Sequence, residues 1–229
     1  MYNGKSFIAV IPARGGSKGI PNKNIVEVEG KPLIAYTIET ALQSKYLDRI
    51  IVSTDNEEIA IVSKDWGAEV PFLRPSCLAT DESKTIETVI HVLEQLQSKY
   101  DYVVLLQPTQ PLRKVVHIDK AIQQAIDKEQ SSLLSVSSVQ QHPILMRTID
   151  ENGLLNSIIN GNSTIRRQDF QEVYIVDGTI YINKIDENLT EKTSLNDNKY
   201  AYVIQDSYID IDNYKDLERF RMIVSEKCE

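Results

Sequence analysis

The chain has 229 residues, and 25 lysines and arginines against 33 aspartates and glutamates give it a formal charge of −8. This length predicts one large domain, and the 41% of hydrophobic and 25% of charged residues are typical of a globular protein. The acidic balance argues against nucleic acids as partners, because those polymers bind to extended basic surfaces.

Neither a membrane-spanning segment nor a secretory signal is expected. No apolar run approaches the roughly 18–20 residues of a transmembrane helix, and the apolar stretch at residues 7–11 is too short for a signal-peptide core. Cys77 and Cys228 lie far apart in the sequence, so two reduced thiols are the expected state. These features together predict a cytoplasmic protein.

Short apolar runs alternate with amphipathic helical patterns along the chain. Runs typical of buried strands lie at residues 7–11, 49–54, 102–106 and 132–136. Helical spacing of apolar residues predicts helices at 33–43, 57–66, 86–96 and 118–125. The last predicted elements are strands at 173–182 and 200–204 and a helix at 213–224. This alternation predicts an α/β fold with a doubly wound, mostly parallel sheet.

The regular pattern weakens between residues 140 and 172. Segments there are short and mixed, residues 160–163 form a turn rich in asparagine and glycine, and no amphipathic helix stands out. No internal repeat or flexible linker divides the chain. We therefore expect a single domain over residues 1–229, with a small inserted subdomain at 140–172.

The strongest chemical signal is a glycine-rich segment, residues 12–24, directly after the first predicted strand. Glycines let backbone N–H groups approach an anion, and open α/β sheets bind ligands at the carboxyl ends of their strands. Arg14, Lys18 and Lys23 place three cations there, which is about the charge that a triphosphate needs. The segment matches neither the Walker A nor the dinucleotide-binding pattern. The alternative interpretation is a flexible surface loop.

Two aspartates near the end of the sequence alternate with isoleucines at residues 209–212. At the period of a strand, Asp210 and Asp212 fall on one face, where paired carboxylates suit Mg²⁺ or Mn²⁺ that also binds phosphate oxygens. Asp212 is equally a candidate for the N-cap of the last predicted helix, and the two roles can coexist.

Polar residues at three other places are candidates for ligand contact. Arg74 and residues 80–85 precede a predicted helix, where hydroxyls and free N–H groups suit either a base and ribose or an ordinary helix start. Gln107 follows the third predicted strand, where its amide fits either a sugar contact or a strand-end hydrogen bond. Arg166 and Arg167 form a double arginine, a pattern typical of a solvated face.

Several short motifs follow one another along nearly the whole chain. They lie at residues 14–19, 51–55, 73–75, 105–113, 166–168, 177–182 and 209–212. In this order they resemble the motifs of the acylneuraminate cytidylyltransferases, which make CMP-activated sialic and related nonulosonic acids. The resemblance implies a catalytic nucleotidyltransferase domain of Rossmann-like fold. It would transfer CMP from CTP to the anomeric hydroxyl of a nine-carbon keto-acid sugar and release pyrophosphate.

The resemblance also implies roles for individual residues. The CTP contacts would be Ala13, Arg14, Gly15, Ser17, Lys18, Lys23, Asn24, Arg74, Ser83 and Thr85. The sugar contacts would be Gln107, Arg167, Gln168, Asp177 and Tyr181. The catalytic residues would be Arg14, Lys23 and Asp212, with Asp210 and Asp212 holding Mg²⁺ or Mn²⁺, and with either Asp212 or a metal-bound hydroxide as the base. The inserted subdomain would form a homodimer, in which Arg167 reaches the partner's active site.

The sequence departs from the family pattern near the acceptor. Residues 175–178 replace a common Arg-Pro-Asn-Gly stretch, and Met146 and Arg147 stand where sialic acid enzymes commonly carry a lysine. Neuraminate, legionaminate and pseudaminate therefore all stay open as acceptors. The alternatives are a 3-deoxy-octulosonate or other sugar nucleotidyltransferase on the same fold, or a CTP-binding regulatory protein without catalysis.

Overall fold

The structure is a computed structural model that describes residues 1–96, 99–139, 141–159, 161, 164, 166–206 and 208–226. Cys228 and most of the turn predicted at 160–163 lie outside the described residues. The strands are β1 (Phe7–Pro12), β2 (Glu27–Val28), β3 (Lys31–Pro32), β4 (Arg49–Ser53), β5 (Tyr102–Leu105), β6 (Ser132–Ser138), β7 (Arg147–Ile149), β8 (Leu155–Ser157), β9 (Tyr174–Lys184) and β10 (Tyr200–Ile204). The helices are α1 (Leu33–Leu42), α2 (Glu57–Asp65), α3 (Thr85–Leu96), α4 (Val115–Asp127) and α5 (Tyr214–Ser225). None of the described helices is long and apolar enough to cross a membrane.

A six-stranded sheet in the order β10–β6–β9–β5–β1–β4 forms the centre of the fold. β1 runs parallel to β4 and β5, and β10 runs parallel to β6. β9 is the exception, because it pairs antiparallel with both β5 and β6 and so joins the two parallel groups. The prediction of a mostly parallel sheet is confirmed.

Helices cover both faces of this sheet. On one face, Phe7 of β1 shares a core with Ile38 of α1 and Ile122 of α4. On the other face, Ile8 of β1 shares a second core with Val89 of α3. Neighbouring residues of one strand thus enter two cores, which explains why β1 is apolar without interruption. The predicted doubly wound arrangement is confirmed.

The predicted helices are confirmed, and two of them begin at N-caps. α2 follows Asn56, whose side chain accepts a hydrogen bond from the backbone N–H of Ile59. α5 follows Asn213, whose side chain accepts hydrogen bonds from the backbone N–H groups of Lys215 and Asp216. Such caps satisfy donors that the first helical turn leaves without an intrahelical partner.

A third apolar cluster joins the glycine-rich segment to the last helix. Ile20 of that segment is fully buried in one cluster with Ile209, Ile211 and Phe220, the last from α5. Burial of each such side chain contributes roughly 1.5–3 kcal/mol. The cluster therefore holds the two aspartates of residues 209–212 beside the glycine-rich segment.

A small antiparallel hairpin, β7–β8, lies outside the main sheet and within the predicted insert. Its apolar side chains are accessible, with Ile149 71%, Leu154 63% and Leu155 67% exposed. Exposed apolar patches mark contact surfaces in many proteins. The dimerisation that the resemblance assigns to residues 140–172 stays a prediction.

Candidate active site

Most of the predicted CTP residues and both predicted metal residues converge on one cavity of about 410 Å³, here called the first cavity. It lies at the carboxyl ends of β1 and β5, which are parallel neighbours and so end at the same edge of the sheet. Of the predicted residues, those that line it are Arg14, Ser17, Lys23, Asn24, Arg74, Ser83, Thr85, Gln107, Asp210 and Asp212. Chain segments far apart in sequence thus supply a single polar cavity.

The glycine-rich segment is fixed on both sides. The backbone N–H of Gly15 donates to the carboxylate of Asp55 at 3.0 Å, and the Asn24 amide donates to the carbonyl of Arg14 at 3.0 Å. A side chain at Gly19 would collide with the backbone carbonyl of Asp212. Glycine is therefore required at position 19 for this segment to pack directly against the acidic one.

Three predicted CTP residues do not line the first cavity. Ala13 is fully buried in the core, and its backbone N–H donates to the carbonyl of Ser53 at 2.9 Å. Gly15 lies instead against the side chain of Asn56. The Lys18 side chain is 78% exposed and reaches the cavity only through an ion pair with Asp81. The structure thus does not place the Ala13 side chain where it could contact a base.

Asp81 connects the two cations at the mouth of the first cavity. One carboxylate oxygen lies 2.8 Å from Nη2 of Arg14, and the other lies 2.7 Å from Nζ of Lys18. These hydrogen bonds, from Lys18 and Arg14, hold the pKa of Asp81 below its usual value. The Asp81 carboxylate therefore pairs with Arg14 and Lys18, two cations that are predicted from the sequence to bind phosphate.

Asp210 and Asp212 face the first cavity while Ile209 and Ile211 are buried, as the alternation predicts. Asn213, not Asp212, caps α5, so the alternative role of Asp212 as the N-cap is wrong. Lys23 lies beside the pair: its ammonium donates to the Ile211 carbonyl at 2.8 Å and to the Asp212 carboxylate at 3.2 Å.

The charges of the two aspartates bear on cation binding. Partial burial raises the pKa of Asp210, a hydrogen bond with Thr109 opposes that rise, and the charge of Asp212 adds to it. Within the described part of the chain, no group of three or more histidines, cysteines, aspartates or glutamates could hold a metal ion. Asp210 and Asp212 would offer two carboxylates to a divalent cation, a kind of ion that commonly also binds phosphate oxygens.

Arg74 forms the inner side of the first cavity. Its side chain is only 4% exposed, Nη1 donates to the hydroxyl of Thr88 at 2.7 Å, and Nη2 lies 3.8 Å from Asp55. Its buried Nε has no hydrogen-bond partner among the described residues. Burial lowers the pKa of Arg74, and the nearby carboxylate of Asp55 opposes this change. Buried donors of this kind favour a polar ligand in the cavity.

A second cavity of about 570 Å³ adjoins the first, and Ser83, Thr85 and Gln107 line both. It extends to Tyr181 of β9 and to the segment at residues 191–196. The Tyr181 hydroxyl donates to the Asn196 side chain at 3.0 Å. Burial, with smaller contributions from Asp177 and Asp210, raises the pKa of Tyr181 to about 12, which keeps this hydroxyl protonated. Two of the predicted sugar contacts therefore share one cavity.

The structure does not support the predicted contact of Asp177 with the sugar, because the side chain points away from both cavities. Its carboxylate is buried and accepts hydrogen bonds from Ser135 Oγ at 2.5 Å, Ser137 Oγ at 2.7 Å and the Thr179 N–H at 2.9 Å. It lines neither the first nor the second cavity. Asp177 is therefore a structural group behind the site.

The other predicted sugar contacts lie apart from both cavities in this chain. Arg167 lines a third cavity of about 610 Å³ with His142 and Phe170. Gln168 is exposed and lines none of these three cavities. The role assigned to Arg167 is in a partner's site, so its distance from the first cavity of its own chain is compatible with that prediction.

Some residues of the first cavity were not predicted. They are Thr88 and Thr109, whereas Thr80 and Asp81 belong to the candidate segment 80–85. Thr88 lies one helical turn after Thr85, so the helical period alone would have placed it on the same face. Thr109 belongs to the motif at 105–113, and its carbonyl accepts from the N–H of Ile211 at 3.0 Å.

Comparison with known proteins identifies the family. Residues 8–227 match the family profile described as Cytidylyltransferase. This chain belongs to the cytidylyltransferase family. An N-acylneuraminate cytidylyltransferase from Streptococcus agalactiae serotype V is 34% identical over 212 residues, which cover 91% of this chain and 51% of the relative. A CMP-N,N'-diacetyllegionaminic acid synthase from Legionella pneumophila is 42% identical over 189 residues, which cover 77% of each chain.

The cytidylyltransferase fold is also found among solved structures. CMP:2-keto-3-deoxy-manno-octonic acid synthetase complexed with CTP matches with a TM-score of 0.76, 17% identity, and coverage of 97% of this chain and 99% of that chain. At this identity the match shows the fold, and the predicted nucleotidyltransferase type of α/β fold is confirmed. The chain spans about half the length of the N-acylneuraminate cytidylyltransferases that it matches.

Proposed function

We propose that this cytidylyltransferase transfers CMP from CTP to the anomeric hydroxyl of a nonulosonic acid and releases pyrophosphate. One observation carries the proposal: the first cavity brings Arg14, Lys23, Asp210 and Asp212 together at the carboxyl edge of the sheet. Cations and a carboxylate pair side by side match a ligand that carries both phosphates and a divalent cation.

The triphosphate would lie along the glycine-rich segment, where Arg14 and Lys23 offset its charge. Lys23 is well placed for this, because its side chain is only 13% exposed and already lies against the acidic pair. The nucleoside would lie deeper, against Asn24 and Arg74, whose buried polar atoms suit a base and ribose. Polar lining of this kind gives specificity through donors left unpaired when the wrong ligand binds.

Asp210 and Asp212 fit a magnesium or manganese ion. Both supply hard oxygen donors. Burial and the nearby charge of Asp212 raise the pKa of Asp210, and a cation would offset the charge of the two carboxylates. The ion would supply charge neutralisation on the phosphates. Arg14 and Lys23 would share in that neutralisation.

The acceptor would occupy the second cavity, between Gln107 and Tyr181. Its anomeric hydroxyl attacks the α-phosphorus of CTP, the bond to the β-phosphate oxygen breaks, and pyrophosphate leaves with the electron pair. Asp212, which lines the first cavity, would accept the proton of the hydroxyl. Such a reaction depends mainly on positioning and on charge stabilisation.

N,N'-diacetyllegionaminate is the first acceptor to test, because the Legionella relative is 42% identical and covers 77% of this chain. Neuraminate and pseudaminate are the next. The β7–β8 hairpin and Arg167 support a homodimer in which the partner's arginine completes the acceptor site. A cytoplasmic location is proposed from the sequence, because CTP is a cytoplasmic metabolite and both cysteines are expected as thiols.

The deciding experiment measures pyrophosphate release from CTP with Mg²⁺ and each of the three acceptors, with 3-deoxy-octulosonate as a fourth. We expect turnover with one nonulosonic acid and little with UTP or GTP. Fastest turnover with 3-deoxy-octulosonate would favour the alternative sugar nucleotidyltransferase. CTP binding without pyrophosphate release for any acceptor would favour a regulatory protein and contradict the proposal.

A further inference from the structure

Arg113 is a buried arginine that the proposed reaction does not use. It is 5% exposed and stands at the end of the turn that follows Gln107. Its guanidinium makes hydrogen bonds to three separate parts of the fold. They are Nε to the Thr179 carbonyl at 2.7 Å, Nη1 to the Thr37 hydroxyl at 3.1 Å and Nη2 to the Gln107 carbonyl at 2.9 Å. One side chain thus ties together β9, α1 and the end of β5.

Asp177 holds the same stretch of β9 from the other side. Its carboxylate accepts the Thr179 N–H, while Arg113 donates to the carbonyl of the same residue. Burial lowers the pKa of Arg113 and the charge of Asp177 opposes that change, so the two opposite charges interact. Buried charges are costly unless they are paired and hydrogen-bonded, and here each is satisfied by several partners.

This network adjoins the two side chains of the second cavity. Gly178 has a positive φ of 73°, and a Cβ there would lie 2.8 Å from Oε1 of Gln107. Tyr181 follows Thr179 by two residues on β9. Arg113 joins the end of β5, near Gln107, to the stretch of β9 that leads to Tyr181. The positions of the Gln107 amide and the Tyr181 hydroxyl therefore depend on this connection.

We propose that Arg113 is a positioning residue for the acceptor. It fixes Gln107 and Tyr181 without touching the substrate. The inference rests on the proposed function, in which these two residues contact the sugar. The nucleotide side has an anchor of its own, since the Thr109 carbonyl binds the Ile211 N–H without Arg113. Loss of Arg113 is therefore expected to act on the acceptor and to spare CTP.

The test compares Arg113→Met, Arg113→Lys and Thr37→Val with the wild type. We expect Arg113→Met to raise the KM for the acceptor about tenfold or more, because small misplacements of positioning groups are costly. The Kd for CTP, measured by calorimetry, should stay within about twofold of the wild type. Arg113→Lys should recover part of the loss by restoring one charged donor, and Thr37→Val should give a smaller rise. The acceptor is whichever of N-acetylneuraminate, N,N'-diacetyllegionaminate and pseudaminate the wild type uses fastest.

Two matched controls separate positioning from general damage. Lys114→Met removes the neighbouring cation, which is 54% exposed, and Ile38→Val trims a fully buried side chain next to Thr37. Neither should change the acceptor KM. Thermal melting checks that each variant folds. If Arg113→Met does not fold, the test compares the acceptor KM of Thr37→Val with that of Ile38→Val.

The inference is overturned if folded Arg113→Met or Thr37→Val keeps the wild-type acceptor KM. It is also overturned if the Kd for CTP rises in parallel with the acceptor KM, since that indicates a general structural role. Failure of the proposed function looks different, because the wild type itself would then release no pyrophosphate with any acceptor.

Discussion

The first and second cavities are adjacent, but they are held in place differently. The first is built on a glycine-rich segment that Ile20 locks into a buried cluster, and its charged groups are already paired within the chain. The second is bounded by the segment at residues 191–196, and the arginine predicted to complete it lies elsewhere in the same chain. The first cavity is therefore formed within one chain, whereas the arginine contact proposed for the second cavity would have to come from a partner.

Removal of a charge from the first cavity should have the largest effect. We expect Arg14→Ala and Asp212→Ala each to lower kcat by about 10²-fold or more. Arg14→Ala removes a cation that offsets the phosphate charge, and Asp212→Ala removes the proposed base and one proposed ligand of the divalent cation. Steady-state kinetics at saturating Mg²⁺ measures this. Lys184→Ala and Asp186→Ala are the controls, since they break a partly exposed ion pair outside the first and second cavities. Near wild-type turnover in either first-cavity variant would contradict its assigned role.

Disruption of the β7–β8 hairpin should affect only the acceptor side. Leu155→Asp places a charge on a side chain that is 67% exposed, and we expect it to convert a dimer into monomers. The acceptor KM should then rise about tenfold, because a misplaced or missing positioning group costs that much, while the Kd for CTP stays unchanged. Light scattering and kinetics together measure both effects.

Ile61→Asp is the matched control for the hairpin, because Ile61 is 60% exposed on α2 and outside the insert. It should leave the oligomeric state unchanged. A wild-type protein that is monomeric and fully active would show that the second cavity needs no partner, and would end the proposed role of Arg167.

The smallest expected effect is a gain in affinity. Asp81 occupies Arg14 and Lys18 when no phosphate is bound, so Asp81→Asn should free both cations for CTP. Exposed ion pairs are weak, and we therefore expect the Kd for CTP to fall only about two- to fivefold. Calorimetry at low ionic strength measures the change, with Glu82→Gln as the control for charge alone. A weaker affinity in Asp81→Asn would mean that Asp81 contacts the nucleotide directly.

The fold could be read from the sequence where a local pattern determines it. Apolar spacing predicts a helix at 33–43, because one helical face must meet the sheet, and the structure has α1 at Leu33–Leu42. The antiparallel direction of β9 had no such signal, because an apolar run does not encode the direction of its neighbours. The glycine-rich segment was recognisable for its chemistry, since cations and glycines are rarely combined without an anion to bind.

The site was harder to predict where a residue belongs to a recognised motif but its side chain is buried behind the cavity. Asp177 belongs to a recognised motif, yet its carboxylate turns inward to Ser135 and Ser137, which lie on another strand. Arg113 ends a different motif and is buried, although arginine is usually exposed. Sequence position alone cannot distinguish the wall of a cavity from the layer behind it.

The cluster around Ile20 also bears on when the protein becomes active during synthesis. Ile20 is made early, but Ile209, Ile211 and Phe220, which bury it, are made much later. Long-range contacts of this kind form late in folding because their loops are entropically costly to close. A nascent chain that lacks these residues therefore leaves Ile20 uncovered, and such chains should not bind CTP.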